Sequence, residues 1–205
     1  KKKKISLEKK TEKMDKFSGL FAFYQDTVDG SVYMEIHQDQ IDREFIYFGH
    51  AHDGIVDVGL NRGSYRSSKI FSVRKYFNRI EFVSENYSFY FDPENPLNKA
   101  SGANISKSIM SSNKIVAVDT MKNRFLIKGD DLFLTEKLLQ IKYYSDPKSK
   151  RFSIGKLSKE KSKYMNICNY PKNSEIVVQY SYDNPTPKNR GRSGITDARS
   201  INLVI

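Results

Sequence analysis

The feature that most constrains this chain is an alternation of apolar and polar residues with a period of two. It is clearest in residues 32–36, 176–182 and 201–205, where every second residue is Val, Met, Ile, Leu or Tyr. Successive side chains of a strand point to opposite faces of a sheet, so such segments have one apolar and one solvent-facing side. Antiparallel sheets commonly have this character. The 205 residues therefore predict a mainly β domain, an antiparallel sandwich or barrel with one or two short helices.

Further strands are predicted where short apolar segments lie between turn residues. They are residues 17–24, 44–48, 55–60, 69–76, 79–85, 87–91, 114–119 and 123–128. The dipeptide Asp29-Gly30 lies between two alternating segments and is a strong hairpin signal. The two short helices are predicted at 104–112 and 131–141, because apolar residues recur there three or four positions apart.

The net charge of +11 is concentrated in two segments. Residues 1–13 contain seven Lys and two Glu, and residues 142–163 contain eight basic and two acidic residues. A nucleic-acid surface combines positive charge with aromatic side chains or a helix that enters a groove, and residues 1–13 contain no aromatic residue. We predict that residues 1–13 are a disordered basic leader, that residues 14–205 form a single β-rich domain, and that no nucleic acid is bound. The Lys-rich leader could contact an anionic membrane surface.

Few residues carry recognisable chemistry. His50 and His52 have the spacing that places two imidazoles on one side of a strand, which makes them a candidate metal pair. The sequence specifies no third ligand, and Asp53-Gly54 favours an exposed turn there. The H-E-x-x-H motif of zinc proteases, the nucleophile elbow and the nucleotide-binding glycine motifs do not occur. We therefore predict no catalytic residue, no cofactor and no metal in this segment.

Three stretches, taken in order, resemble a known pattern. They are residues 16–24 followed by 31–36, residues 59–65 followed by 71–83, and residues 169–176 followed by 197–201. Together they resemble the non-catalytic N-terminal region of bacterial zinc-dependent metalloproteases of the met-zincin type. In that family this region consists of paired domains of unknown function. The family usually has Asp where Asn61 stands here.

The resemblance implies that this chain is the accessory part of an exported protease, located in the periplasm, at the outer membrane or outside the cell. It implies a downstream catalytic domain that holds zinc, with that domain and a protein or peptide substrate as the partners of this chain. The accessory domain would support or shield the catalytic domain, or present substrate to it. The chain reaches Ile205 directly after apolar residues, and we expect the native protein to continue.

Four residues of these stretches are candidates for a structural or interdomain role. Gly63 is expected to supply a turn with positive φ. Arg62 is expected to bind backbone carbonyls or a carboxylate, either Asp57 or Asp197, and Arg199 is a second candidate of the same kind. Ion pairing within the domain is the simpler interpretation for both arginines, and contact with a catalytic domain is the alternative.

Three other functions stay open at this stage. A free-standing cell-surface module that binds glycan or protein would have a row of solvent-facing aromatic residues on one sheet. A nucleic-acid-binding β domain would use the basic residues 142–163 and would lose affinity steeply with salt. A binder of small molecules would have a pocket inside a barrel.

Overall fold

The computed structural model describes residues 5–92, 94–100, 103, 105–141, 148 and 152–205. The described chain is mainly β with two short α-helices, which confirms the predicted fold class. The helices are α1 (Leu7–Thr11) and α2 (Asp130–Phe133). The strands are β1 (Ile5–Ser6), β2 (Met14–Phe17), β3 (Ala22–Asp26), β4 (Val32–His37), β5 (Glu44–His50), β6 (Tyr65–Tyr76), β7 (Arg79–Ser84), β8 (Ser108–Asp119), β9 (Arg124–Lys128), β10 (Lys156–Leu157), β11 (Lys163–Tyr170), β12 (Asn173–Asp183) and β13 (Ser200–Val204).

Nine strands form one large sheet that curls into a half-barrel. Its order is β2–β3–β4–β9–β8–β7–β6–β5, and all these neighbours are antiparallel. The short strand β1 pairs in parallel with β8. A second sheet of four strands has the order β10–β12–β11, with β13 also paired to β12.

One face of the large sheet, which we call the inner face, packs into the main hydrophobic core. It consists of alternate residues of the central strands, as the period of two predicts. Its buried members include Phe23, Met34, Ile36, Phe71, Val73, Ile80, Phe82, Phe125 and Ile127. Each such side chain contributes roughly 1.5–3 kcal/mol through the removal of apolar surface from water. Tyr164 and Ile176 of the small sheet pack against this core, so the two sheets share it.

The small sheet has a second core on its own apolar face. The alternating residues predicted from the sequence form it, namely Val178, Tyr180, Tyr182, Ile201 and Leu203. The Tyr180 hydroxyl donates to the carbonyls of Phe133 (2.8 Å) and Thr135 (3.1 Å), and burial raises the pKa of Tyr180. The segment after α2 is therefore held against this sheet.

Residues 5–13, predicted to be a disordered leader, are instead an ordered segment that we call the N-terminal strap. The side chain of Ser6 caps α1 by accepting from the Lys9 N–H at 3.3 Å. Leu7, only 1% exposed, packs with Tyr24 and Leu126 on the face of the sheet opposite to the inner face. The burial of Leu7 holds the strap on this face, although most of its neighbours in the sequence are charged or polar. Residues 1–4 lie outside the described chain.

Several predicted elements are confirmed, and the Asp29-Gly30 hairpin is among them. Gly30 has φ of +73°, and β3 and β4 flank the turn. The other confirmed strands correspond to the predictions at 32–36, 44–48, 69–76, 79–85, 114–119, 123–128, 176–182 and 201–205.

Other predicted elements are wrong for identifiable reasons. Residues 17–24 are divided between β2 and β3, because the chain reverses after Phe17. Residues 55–60 contain a 3₁₀ turn, Val56–Val58, that ends at Gly59 with φ of +76°. The helix predicted at 131–141 is limited to α2. The described residues 87–91 contain no strand.

The helix predicted at 104–112 is replaced, from Ser108 onward, by the beginning of β8. Ser and Asn are frequent here and have low helix propensity, and the backbone pairs with β7 instead. Residue 104 lies outside the described residues, as does much of the basic segment 142–163. The described end of that segment contains β10 and the first residue of β11.

Within the described part of the chain, we find no helix with the length and apolar character that a membrane crossing requires.

Candidate docking surface

The two histidines of the candidate metal pair lie where β5 leaves the large sheet. The N–H groups of His52 and Asp53 donate to the Val204 carbonyl at 2.9 and 3.1 Å. The His50 ring lies 6.4 Å from the Tyr65 ring, and His52 Nδ1 lies 3.7 Å from the Asp53 carboxylate. Among the described residues, no group of three or more His, Cys, Asp or Glu side chains could hold a metal ion. The backbone here links the end of β5 to β13.

Arg62 and Gly63 lie in the loop that follows this connection. Gly63 has φ of +75°, and its N–H donates to the Ala51 carbonyl at 2.7 Å. This hydrogen bond folds the loop back, so that Arg62 Nε lies 3.6 Å from the Asp53 carboxylate. The expected partners of Arg62, Asp57 and Asp197, pair with other arginines instead. The Arg62–Asp53 pair is well exposed and contributes less than about 1 kcal/mol to stability.

Asp197 and Arg199 pair with each other at the beginning of β13. The guanidinium of Arg199 donates to both carboxylate oxygens of Asp197, at 2.8 to 3.2 Å. These hydrogen bonds lower the pKa of Asp197 to about 2. Both side chains are exposed, and their contact organises the turn into β13.

Two of the stretches that carry the family resemblance meet in the fold. Asn169 donates from its amide to the carbonyls of Phe17 (2.9 Å) and Phe21, and the Leu20 N–H donates to the Tyr170 carbonyl (2.7 Å). A Cβ at Gly19 would lie 2.1 Å from the Asn169 side chain, so the approach requires glycine. These residues join the β2–β3 turn to the small sheet. Sequence reasoning singled out both stretches but could not pair them.

A buried charge network that the sequence does not predict lies beside the N-terminal strap. It is on the face of the large sheet opposite to the inner face, which we call the outer face. Glu35, 1% exposed, accepts from the Tyr24 hydroxyl (2.8 Å) and the Arg124 guanidinium (3.2 Å), and its other oxygen lies 2.8 Å from His37 Nε2. Arg124 also donates to Asp119 at 2.6 Å, which lowers the pKa of that carboxyl. Burial, followed by the hydrogen bond to Glu35, raises the pKa of Tyr24. Each member has a partner, so removal of one of them would leave a buried charge without compensation.

The other half of the outer face, on β5 to β8, is the strongest candidate for a functional surface, and we call it the bare outer face. Ile46 and Phe48 alternate with Phe45 and Tyr47, which pack toward the core, so they project from the opposite side of β5. Ile46 is 65% exposed, and Phe48 is 60% exposed. Across the same face, direct cross-strand partners run from Glu44 through Ser72 and Val83 to Ile109. Ser72 and Val83 are buried, whereas Ile109, at the far end of this row, is 58% exposed.

A polar cavity of about 290 Å³ lies on the bare outer face. It is lined by Asp42, Glu44, Ser72, Arg74, Glu85 and Lys107. Glu85 accepts from Ser72 (2.6 Å) and Lys107 (2.6 Å), and it pairs with Arg74 (3.2 Å). Burial acts to raise the pKa of Glu85, but the hydrogen bonds and positive charges of its partners outweigh it and lower the pKa below its ordinary value.

An exposed aromatic segment follows β7 directly. The Glu85 N–H donates to the Ile70 carbonyl at 2.9 Å, which places the start of the segment beside β6. Beyond it, Tyr87, Phe89 and Tyr90 are 64%, 59% and 85% exposed. Exposed aromatic residues at such density are typical of surfaces that contact another molecule. The alternation of residues 87–91 predicts a strand, whereas the structure has an irregular segment with exposed aromatic rings here.

Comparison with known proteins identifies a family for this chain, and it finds no similar curated protein or solved structure. The family model described as Domain of unknown function (DUF5117) matches residues 63–204, which include β6 to β13. The match covers well over half of the chain and includes Gly63, the bare outer face from β6 onward, and the Asp197–Arg199 turn. This chain therefore belongs to the DUF5117 family.

Proposed function

We propose that this chain is the non-catalytic N-terminal accessory domain of an exported zinc metalloprotease, and that its bare outer face packs against the catalytic domain. The bare outer face is the observation that supports this proposal most directly. Ile46, Phe48 and Ile109 lie on one side of four hydrogen-bonded strands and stay more than half exposed. Ile46 and Phe48 are neighbours on the outer side of β5, and exposed large apolar side chains grouped in this way are typical of an interaction site.

The chemistry of this face suits a specific contact rather than simple apolar adhesion. Ile46 and Ile109 each lie two positions along the chain from a residue that lines the polar cavity, Glu44 and Lys107. In that cavity Glu85 is held by Arg74 and Lys107, both about half exposed. A partner that covers the face would remove water from these charges and strengthen their interactions. Charged groups within an apolar surface fix the orientation of two partners more than they add affinity. The face would thus hold the catalytic domain in one orientation.

The identity of the partner rests on the sequence resemblance. The same resemblance implies a zinc ion held by the catalytic domain and a protein or peptide substrate. It also implies a location in the periplasm, at the outer membrane or outside the cell. The membership in a family of unknown function is consistent with this proposal. The Lys-rich start of the chain stays a predicted contact with an anionic membrane surface, and the absence of nucleic-acid binding stays a prediction.

The proposal is tested by side-chain footprinting with hydroxyl radicals on this chain and on the full-length protein that its gene encodes. Oxidation of Phe48 is expected to fall several-fold in the full-length protein, because the catalytic domain would cover it. Val28, which is 93% exposed at the tip of the β3–β4 hairpin, provides the internal control and should react equally in both. Equal oxidation of Phe48 in both proteins would contradict the proposal.

A matched pair of variants tests the consequence for activity. In the full-length protein, Ile46→Asp is expected to lower zinc-dependent peptidase activity, because a charge within an apolar interface is costly to bury. Val28→Asp introduces the same charge at an exposed turn and is expected to leave activity unchanged. A gene that encodes no further domain, or a full-length protein without zinc-dependent peptidase activity, would refute the assignment.

A second candidate function is favoured by the aromatic segment alone. Tyr87 and Tyr90 could stack on sugar rings or contact a peptide, as in a cell-surface module that binds glycan or protein. In that case Tyr90→Ala should abolish binding on a glycan or peptide array, while Ile46→Asp should leave it intact. Loss in both variants would show that Ile46 contributes to the same binding surface as Tyr90.

A further inference from the structure

The loop between β12 and β13 and the 3₁₀ turn Val56–Val58 enclose a groove that lies apart from the bare outer face. Its volume is about 570 Å³, and its lining includes Val56, Asp57, Phe152, Asn189, Gly191 and Arg192. This is within the range of sites that bind small ligands or side chains. The groove combines an apolar wall, supplied by Val56 and Phe152, with a single carboxylate.

That carboxylate, Asp57, is buried but weakly engaged. Its side chain is 9% exposed, and the Nε atom of its cationic neighbour, Arg192, lies 3.9 Å from its carboxylate. A separation of 3.9 Å is too long for a hydrogen bond. A buried carboxylate ordinarily requires close hydrogen-bonded or ionic partners, because removing its charge from water is costly. Asp57 thus has unused capacity to bind a cation.

Arg192 does not fill the groove. Its side chain is 88% exposed, so the guanidinium extends largely into solvent. Its Nε atom lies 3.9 Å from the Asp57 carboxylate. An exposed arginine exchanges readily among rotamers, and a loose surface pair of this type contributes little to stability. A second guanidinium could therefore take the carboxylate without breaking a strong contact.

Glycines keep the space beside the carboxylate open. A Cβ at Gly194 would lie 3.0 Å from Asp57 Oδ2, and a Cβ at Gly191 would lie 2.3 Å from the Ile195 side chain. Gly191 also has φ of +70°, a conformation that favours glycine. The loop backbone therefore stays close to the carboxylate while leaving room next to it.

We propose that this groove binds the side chain of an arginine presented by a peptide. Asp57 would accept the guanidinium in a bidentate contact, and Phe152 would pack against its planar face and aliphatic stem. Arg192 occupies the edge of the site when no peptide is bound and moves away on binding. The proposal is independent of the proposed accessory role, because it concerns a different surface of this chain.

The strongly basic character of the chain does not prevent this recognition. Charges more than about 8 Å away are largely screened at physiological ionic strength, so among the basic residues mainly those beside the groove, such as Arg192, oppose the binding of a second guanidinium. Binding should accordingly be measured at physiological salt, where attraction to Asp57 remains and distant repulsion is damped.

The test is an NMR titration of this chain with N-acetyl-arginine N-methylamide, with the citrulline analogue as a neutral control of the same shape. Saturable shifts of the Gly191 and Gly194 amides are expected, with an affinity for arginine about tenfold higher than for citrulline, equivalent to about 1.4 kcal/mol. Asp57→Asn should remove that preference. Arg192→Gln should tighten arginine binding a few-fold, because it removes the competing guanidinium.

Three outcomes of this titration would contradict the proposal or a part of it. Equal affinity for arginine and citrulline would refute recognition of charge, and retained preference in Asp57→Asn would refute the assigned residue. Unchanged or weaker binding by Arg192→Gln would show that Arg192 is not a displaceable competitor and would overturn that part of the proposal. An unchanged amide spectrum outside the groove in Asp57→Asn establishes that the variant is folded.

Discussion

The two halves of the outer face of the large sheet differ in what covers them. On β3, β4, β9 and β8 the N-terminal strap buries Leu7 against Tyr24 and Leu126, and the charges beside it are fully paired. On β5 to β8 the same face leaves Ile46, Phe48 and Ile109 more than half exposed, although Ser72 and Val83 between them are buried. The chain thus covers Leu7 and its neighbours in one half with its own residues, whereas the outer side of β5 and the beginning of β8 stay exposed in the other half. The difference indicates that the bare half is the surface to test for a partner.

The largest effect is expected from Glu35→Gln in the covered half. It leaves the Arg124 guanidinium with less compensation in a buried site, so the free energy of unfolding should fall by about 3 kcal/mol. Urea denaturation monitored by circular dichroism measures the change. A decrease of less than about 0.5 kcal/mol in the free energy of unfolding would show that the covered half tolerates substitution as well as the bare half does.

Leu7→Ala should have the next largest effect. Truncation of a buried leucine costs roughly 2–5 kcal/mol, and we expect the lower part of this range because the strap is short and can adjust. The same denaturation experiment tests it, with Lys9→Ala on the exposed side of α1 as the control. Equal midpoints for the two variants would mean that the strap does not contribute to stability.

Glu85 provides a pH-dependent test in the bare half. Its pKa is lowered in the folded protein, so its contribution to stability is present above the ordinary Glu pKa of about 4.3 and is lost as the pH falls through the lower, folded value. The loss should be about 1 kcal/mol or less, because Arg74 and Lys107 are half exposed and solvent screens them. Glu85→Gln should flatten this part of the pH profile of unfolding. An identical profile in the variant would contradict the assigned contacts.

The smallest effect is expected from Ile46→Ala in this chain alone. The side chain is mostly exposed, so the free energy of unfolding should change by no more than about 0.5 kcal/mol. In the full-length protein the same variant should cost more, since the proposed interface would bury Ile46. A large loss of stability in the isolated chain would mean that the bare outer face supports the fold itself.

The sequence predicts the mainly β fold and most of the strands, because their alternation directly reflects one buried and one outer face. It does not predict α1, since the burial of Leu7 depends on Leu126, which is distant in sequence. Nor does it predict where residues 87–91 lie, because exposed and buried aromatic residues produce the same pattern. Of the candidate residues, Arg62 lies in an ion pair with Asp53 and Asp197 in one with Arg199. Their partners could not be assigned, because hydrogen bonds such as that from Gly63 to Ala51 decide which side chains meet.

The parallel pairing of β1 with β8 has a consequence for how the protein is made. Ile5 pairs with Ala117, so β1 has no place to dock until β8, which lies much later in the chain, has been synthesised. Contacts this distant in sequence form slowly. During synthesis the strap should therefore be among the last of these elements to fold. Until the sheet has formed, the strap stays accessible to proteases and chaperones.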